Sequence, residues 1–126
     1  MPVAYDHPET YGQDRLLAAY GASELHGRPC IVLDAGTCVT CDAVPTEGGI
    51  HPIAIAPGLQ TLMAGMGCAA PQLRAAIASG DPRSVADAPR GARSTDDCIR
   101  FGLRSQLAGM CHECIAAACD VLGPAG

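Results

Sequence analysis

The chain has 126 residues, 48% of them hydrophobic, a net charge of −5, one Phe, three Tyr and no Trp; this suits one domain, or one lobe of a two-lobed protein, with a core of small aliphatic side chains. Every basic residue is Arg, which excludes a P-loop lysine, a Schiff-base lysine and a lysine general base, while the acidic balance argues against a nucleic-acid partner. No apolar run approaches the roughly 20 residues of a membrane span, and Met1-Pro2-Val3-Ala4-Tyr5-Asp6 has no signal-peptide character, so a cytoplasmic location with reduced thiols is expected.

Residues 8 to 22 read as a loop entering a helix, with Leu16, Leu17 and Tyr20 on one side and Gly21 as its stop. Cys30-Ile31-Val32-Leu33 has the character of a buried strand. Residues 38 to 44 form a second strand, and residues 50 to 56 a third, weakened by Pro52. Short turns between them predict an antiparallel meander. Leu59 to Met66 is helical, Pro71 opens another helix, and Gly80 ends it. Residues 80 to 93, with Pro82, Pro89 and Gly91 among charges, read as an exposed loop. Ser94 and Asp97 form a capping box for the longest helix. Its buried stripe is Leu103, Leu107, Met110, Cys114 and Ala118, and Gly102 and Gly109 would admit a second helix closely.

Two stretches carry chemistry. In Tyr5-Asp6-His7-Pro8-Glu9-Thr10-Tyr11-Gly12-Gln13-Asp14-Arg15, Gly12 permits a tight turn into a helix start. A carboxylate at Asp14 can take a proton from a hydroxyl nucleophile, and the Arg15 guanidinium can hold an anionic group. The bland alternative is an Asp that favours a helix N-terminus beside a solvated Arg. In Asp34-Ala35-Gly36-Thr37-Cys38-Val39-Thr40-Cys41-Asp42, a glycine turn exposing backbone N–H groups, with the Thr37 hydroxyl, makes a phosphate-sized nest. Asp34 at the strand end can hold a cation there or position water. An ordinary hairpin turn is the competing reading.

Tyr-x-x-Pro-x-x-x-Gly-x-Asp-Arg followed by Asp-x-Gly-Thr-x-x-Thr-x-Asp resembles the type III pantothenate kinases, which belong to the actin-like phosphotransferases. Ile55-Ala56-Pro57-Gly58-Leu59 is similar to the Ile-x-Pro-Gly-Leu segment of that family, and Ser94-Thr95 through Phe101-Gly102-Leu103 to Gly109 resembles its late helix. The resemblance implies an α/β fold, a ribonuclease-H-like lobe in which a short antiparallel meander packs with helices, residues 1 to 126 forming one such domain. It implies ATP-dependent phosphorylation of pantothenate, the first step of coenzyme A biosynthesis. Asp14 would be the general base; Tyr5, Gly12, Gln13, Asp14 and Arg15 would line the pantothenate site. Gly36 and Thr37 would contact ATP phosphate, supplied with Mg2+, and Asp34 would hold a monovalent cation, K+ or NH4+. The family acts as a homodimer.

The departures shape a second expectation. The family's first lobe carries Asp-x-Gly-Asn-Thr, and nothing ahead of Tyr5 supplies it, so the N-terminal lobe is expected to be missing and the chain to be a shortened form. Pro52-Ile53 replaces a Gly-Gly pair, and Gly67-Cys68-Ala69-Ala70-Pro71 lacks an expected threonine. The alternative is therefore a catalytically inactive half-protein with a regulatory or partner-binding role. Cys38/Cys41 and Cys111/Cys114 also raise a tetrahedral zinc site, against which stands the expectation of small buried thiols. His7, His26, His51 and His112 show no metal-ligand spacing.

Overall fold

The computed structural model describes residues 1–78 and 82–124. Three strands, β1 (Cys30–Ala35), β2 (Cys38–Val44) and β3 (His51–Pro57), form an antiparallel sheet in the order β1-β2-β3. The meander is as expected, but burial falls on β2, the central strand, rather than on β1. As an edge strand, β1 is half-buried at Cys30 to Val32 and exposed from Leu33 onward. Pro52 is tolerated because β3 is also an edge. The pairing steps from Cys41–Ala54 to Asp42–Pro52, leaving Ile53 as a bulge beside the proline, where a ladder hydrogen bond is already broken.

Helix α1 (Gln13–His26) packs on one face of this sheet and α4 (Thr95–Leu122) on the other. Side chains alternate across β2. Asp42 and Val44 point to the α1 layer, where Val44 clusters with Tyr11, Ala19 and Ile50. Cys41 and Ala43 point to the α4 layer, against Cys114 and Ala118. A third cluster, Ile77, Val85, Ile99 and Leu103, joins α4 to α2 (Leu59–Ala69) and α3 (Arg74–Ala78). The expected α4 stripe is confirmed: Leu103, Cys114 and Ala118 are buried and Leu107 and Met110 half-buried. Asp97 N–H donates to Ser94 Oγ at 3.1 Å, and its own carboxylate accepts from Arg93 N–H at 3.2 Å, which closes the box one residue earlier than the motif suggests.

Other expectations need correction. Helix α1 passes through Gly21 and ends at Gly27, whose φ of +81° suits glycine alone. Its buried face is Arg15, Ala19 and Ser23, while Leu17 and Tyr20 are 69% and 53% exposed. The opposing sheet presents an aspartate, so the helix buries its arginine and turns two apolar residues outward. Gly102 and Gly109 have no neighbouring atom within 4 Å of a notional Cβ, so among the described residues no second helix packs there. The stretch after α3 is not simply an exposed loop. Pro82–Val85 form a 3-10 turn, and Val85 and Ala88 are buried against α4. The expected helix stop at Gly80 lies outside the described residues.

The N-terminal residues are pinned down as well. Val3 bridges Ile50 in parallel, with Ala4 N–H donating to Ile50 O and Ile50 N–H to Pro2 O, each at 2.8 Å. Gly49 lies so close beneath the Pro2 carbonyl that any side chain would collide with it. This delivers Tyr5 to the start of α1. No described helix is long and apolar enough to cross a membrane.

Candidate functional site

Helix α1 begins at Gly12, its N-cap, with extended backbone (φ −60°, ψ 133°) and no side-chain cap. Asp14 lies in the first turn, where the helix dipole favours a carboxylate. A Cβ placed on Gly12 would sit 2.5 Å from Asp14 Oδ1, so glycine is needed there to leave the carboxylate its position. Asp14 is exposed and makes no ion pair or side-chain hydrogen bond among the described residues. It is available to a ligand.

Arg15, the next residue, behaves in the opposite way. It is 6% exposed, and its Nε and Nη2 donate to Asp42 Oδ2 and Oδ1 at 3.0 and 2.6 Å. Nη2 also donates to Cys41 O at 3.3 Å, and the guanidinium stacks over the Tyr11 ring at 4.8 Å. Burial opposes its charge, but the hydrogen bonds and charge of Asp42 outweigh that and hold its pKa above the ordinary value. Arg15 is thus neither solvated nor a free guanidinium waiting for an anion; most of its donors are engaged within the protein. Tyr11 stands edge-on to Tyr5, ring centroids 5.6 Å apart. The Tyr11 hydroxyl is buried without a well-formed hydrogen bond, and burial, then the Asp42 carboxylate, pushes its pKa above the usual phenol range.

The phosphate-nest candidate differs in detail from expectation. Gly36 and Thr37 are exposed at the tip of the β1–β2 hairpin. The Gly36 N–H is not free, however; it donates to Cys38 O at 2.8 Å and closes the turn. The Thr37 carbonyl accepts from Gly58 N–H at 2.9 Å and from Thr61 Oγ1 at 2.6 Å, tying the tip to the start of α2. Gly58 packs so tightly on the Gly36 carbonyl that no side chain fits. What the tip offers outward is the Thr37 side chain.

Register connects the two regions. Asp34 pairs with Thr40, two residues from Asp42 along β2, so all three side chains lie on the α1 face of the sheet. Arg15 meets Asp42, whereas Ala19, one turn later, clusters with Val44 and Cys30. Helix α1 therefore runs away from the hairpin tip, and its N-terminus, with Asp14, faces toward it. Tyr5, Gly12, Asp14 and Arg15 form one corner; Asp34, exposed, lies between that corner and Gly36 and Thr37; Gln13 is exposed beside Asp14. Tyr11 and Asp42 complete the corner and were assigned no role from sequence. Asp42 is the last residue of the Asp-x-Gly-Thr-x-x-Thr-x-Asp motif, and a charged residue on the core side of a central strand is the signal that it has a buried partner. Gly58 and Thr61 support the tip through bonds that the sequence pattern does not reveal.

The Cys-x-x-Cys pairs do not combine into a four-thiol site. Cys41 and Cys114 meet at the sheet–α4 interface, with Cys41 Sγ 3.8 Å from Cys114 O, while Cys38 is exposed and Cys111 half-buried. Among the described residues no three His, Cys, Asp or Glu side chains gather as a metal site.

A model of the type III pantothenate kinase family matches residues 1–117. A type III pantothenate kinase of Streptomyces coelicolor is 37% identical over 109 residues, covering 86% of this chain and 39% of that protein. That of Rhodopirellula baltica is 38% identical over 110 residues, covering 86% and 40%. That of Streptomyces griseus is 34% identical over 116, covering 92% and 42%. The chain thus spans about two fifths of the length of these relatives. With the matched segment running from the N-terminal bridge through most of α4, the chain belongs to the type III pantothenate kinase family.

Proposed function

We propose that this chain carries the pantothenate-recognising lobe of an ATP-dependent pantothenate kinase, with a ribonuclease-H-like fold of the actin-like phosphotransferases. One observation carries the reading. Two successive residues at a helix start divide the work: Arg15 is locked into the sheet by Asp42, and Asp14 is left exposed with its carboxylate over Gly12. A general base must be presented in a fixed place with its oxygen accessible, and this pairing does both.

In this reading Asp14 accepts the proton of the pantothenate primary hydroxyl as that oxygen attacks the γ-phosphorus of ATP and the bond to the departing ADP oxygen breaks. Tyr5, Gly12, Gln13 and Arg15 shape the pantothenate site, Arg15 chiefly by positioning. Gly36 and Thr37 face the ATP phosphates, with Thr37 offering the donor. Asp34, on the face shared with Asp42, would hold the monovalent cation, K+ or NH4+, and Mg2+ would arrive with the nucleotide to neutralise phosphate charge. The place of action is the cytoplasm, and the working unit is a homodimer or this lobe joined to a first lobe. Pantothenate titrated into the protein tests the reading. Saturable binding that Tyr5→Ala or Gly12→Val weakens at least tenfold supports it; a folded protein that takes up no pantothenate does not fit it.

A second reading, a half-protein without activity that binds a partner, is favoured by one feature: Leu17 and Leu25 of α1 are 69% and 80% exposed. Activity that survives Asp14→Asn, or is never present, would move weight to it.

A further inference from the structure

Away from this corner, α4 and the segment preceding it enclose a cleft of about 350 Å³ lined by Arg90, Phe101, Arg104, Ser105 and Ala108. Phe101, Arg104, Ser105 and Ala108 follow at spacings of three and four and share one helix face. Arg90 comes from the facing segment. That segment is anchored rather than loose. Val85 and Ala88 are buried; Arg100 Nε and Nη2 donate to Ser84 O at 3.2 and 2.8 Å, and Arg104 Nη1 donates to Ala88 O at 3.3 Å. The cleft thus lies beside the third core cluster, to which Val85 belongs.

The cleft has the chemistry of an anion site with an apolar wall. Two of the eight arginines of a chain with net charge −5 converge on it, and neither makes an ion pair with a carboxylate among the described residues. Arg100, one turn before Arg104, is by contrast neutralised by Asp96 and Asp97 at 3.5 and 3.6 Å. Paired guanidiniums present forked N–H donors that suit phosphate oxygens. Phe101, the chain's only phenylalanine, is 36% exposed at the same cleft and offers a ring face. Ser105 adds a hydroxyl. The volume lies at the small end of ligand sites, enough for one ring, one sugar-sized spacer and one phosphate.

We propose that this cleft is a binding site for a small ring-bearing phosphomonoester, the class represented by a nucleoside monophosphate. The two arginines take the phosphate, Phe101 stacks on the ring, and Ser105 bonds the linking portion. The site is built from α4 and the segment before it, separate from Asp14 and from the hairpin tip, so it stands independently of the kinase reading.

Titration of the 126-residue protein with AMP, adenosine and inorganic phosphate, by calorimetry at low salt, tests it. AMP is expected to bind saturably and at least tenfold more tightly than either of its halves. Arg90→Gln, which removes no hydrogen bond made within the described residues, should weaken AMP at least fivefold with an unchanged melting curve. Phe101→Leu should bring AMP down toward the affinity of inorganic phosphate. Absence of saturable AMP binding overturns the proposal. So does AMP binding that Arg90→Gln leaves untouched, since that places the nucleotide elsewhere, and so does equal affinity for AMP and inorganic phosphate.

Discussion

Arg15 and Asp42 face each other across the α1–β2 interface in a two-pronged ion pair, Nε–Oδ2 3.0 Å and Nη2–Oδ1 2.6 Å, with both side chains almost fully buried. The pair fixes the rotation of α1 about its axis and so decides where the adjacent Asp14 points. Tyr11 lies beneath the pair, with the guanidinium over its ring at 4.8 Å.

Breaking one side of such a pair leaves an uncompensated buried charge, which costs about 3–5 kcal/mol. Asp42→Ala should therefore lower unfolding free energy by that amount in urea titration. Asp14→Asn, at an exposed residue without partners, should change it by less than about 0.5 kcal/mol. Equal effects would mean that the pair does not organise α1.

At Gly12 the expected consequence is positional. An alanine Cβ would lie 2.5 Å from Asp14 Oδ1, so Gly12→Ala must displace the carboxylate. In the proposed kinase reading Asp14 is the base, and because misplacement of a catalytic group by about 1 Å can cost on the order of 100-fold, any phosphorylation rate should fall at least tenfold. The melting temperature should move little, because a flexible side chain can yield. A rate loss matched by a comparable collapse in stability would instead show that Gly12 serves the fold.

At Gly58 the collision is with backbone. A Cβ there meets the Gly36 carbonyl, which cannot rotate away, so Gly58→Ala should destabilise by about 1–3 kcal/mol, as for overpacking. Thr61→Val, which removes only the 2.6 Å bond to Thr37 O, should cost about 1 kcal/mol. Denaturant titration of the two variants checks the order.

The thiol of Cys41 gives a pH signature. Burial, then the neighbouring Cys114 and Asp42, raises its pKa from 9.0 to about 11 in the fold. Below pH 9 the thiol is protonated in both folded and unfolded chains, and its contribution is complete. Between about pH 9 and 11 the unfolded chain releases this proton and the folded one keeps it, so stability falls as pH rises. Melting temperature should drop across that window, and Cys41→Ala should flatten the drop while lowering stability at neutral pH.

Much of the frame was legible in the residues themselves. The meander followed from three short apolar runs between turns, and α4 from its three-and-four spacing. The face of α1 was not legible, because a pattern count treats Arg as a solvent residue. The partner that reverses this, Asp42, lies 27 residues away and acts through space. Val85 and Ala88 were hidden in the same way, being small apolar residues among prolines and charges whose burial depends on α4 arriving above them. At the site, Asp14 and Gly12 are singled out by the resemblance of their motif to the family, since Gly-x-Asp-Arg alone is short and common. The Gly36 turn has the sequence of a nest of free N–H groups, and sequence does not reveal that its amide closes the hairpin onto Cys38.

In the function proposed above, Asp14 is the base of a pantothenate kinase, held in place by its neighbour. The most direct test is transfer of labelled γ-phosphate from ATP to pantothenate, with Mg2+ and K+, by the protein and by Asp14→Asn. Labelled phosphopantothenate is expected from the protein and a loss of at least 100-fold in the variant, with both equally folded. Equal rates in the two, or no labelled product from the folded protein, would contradict it.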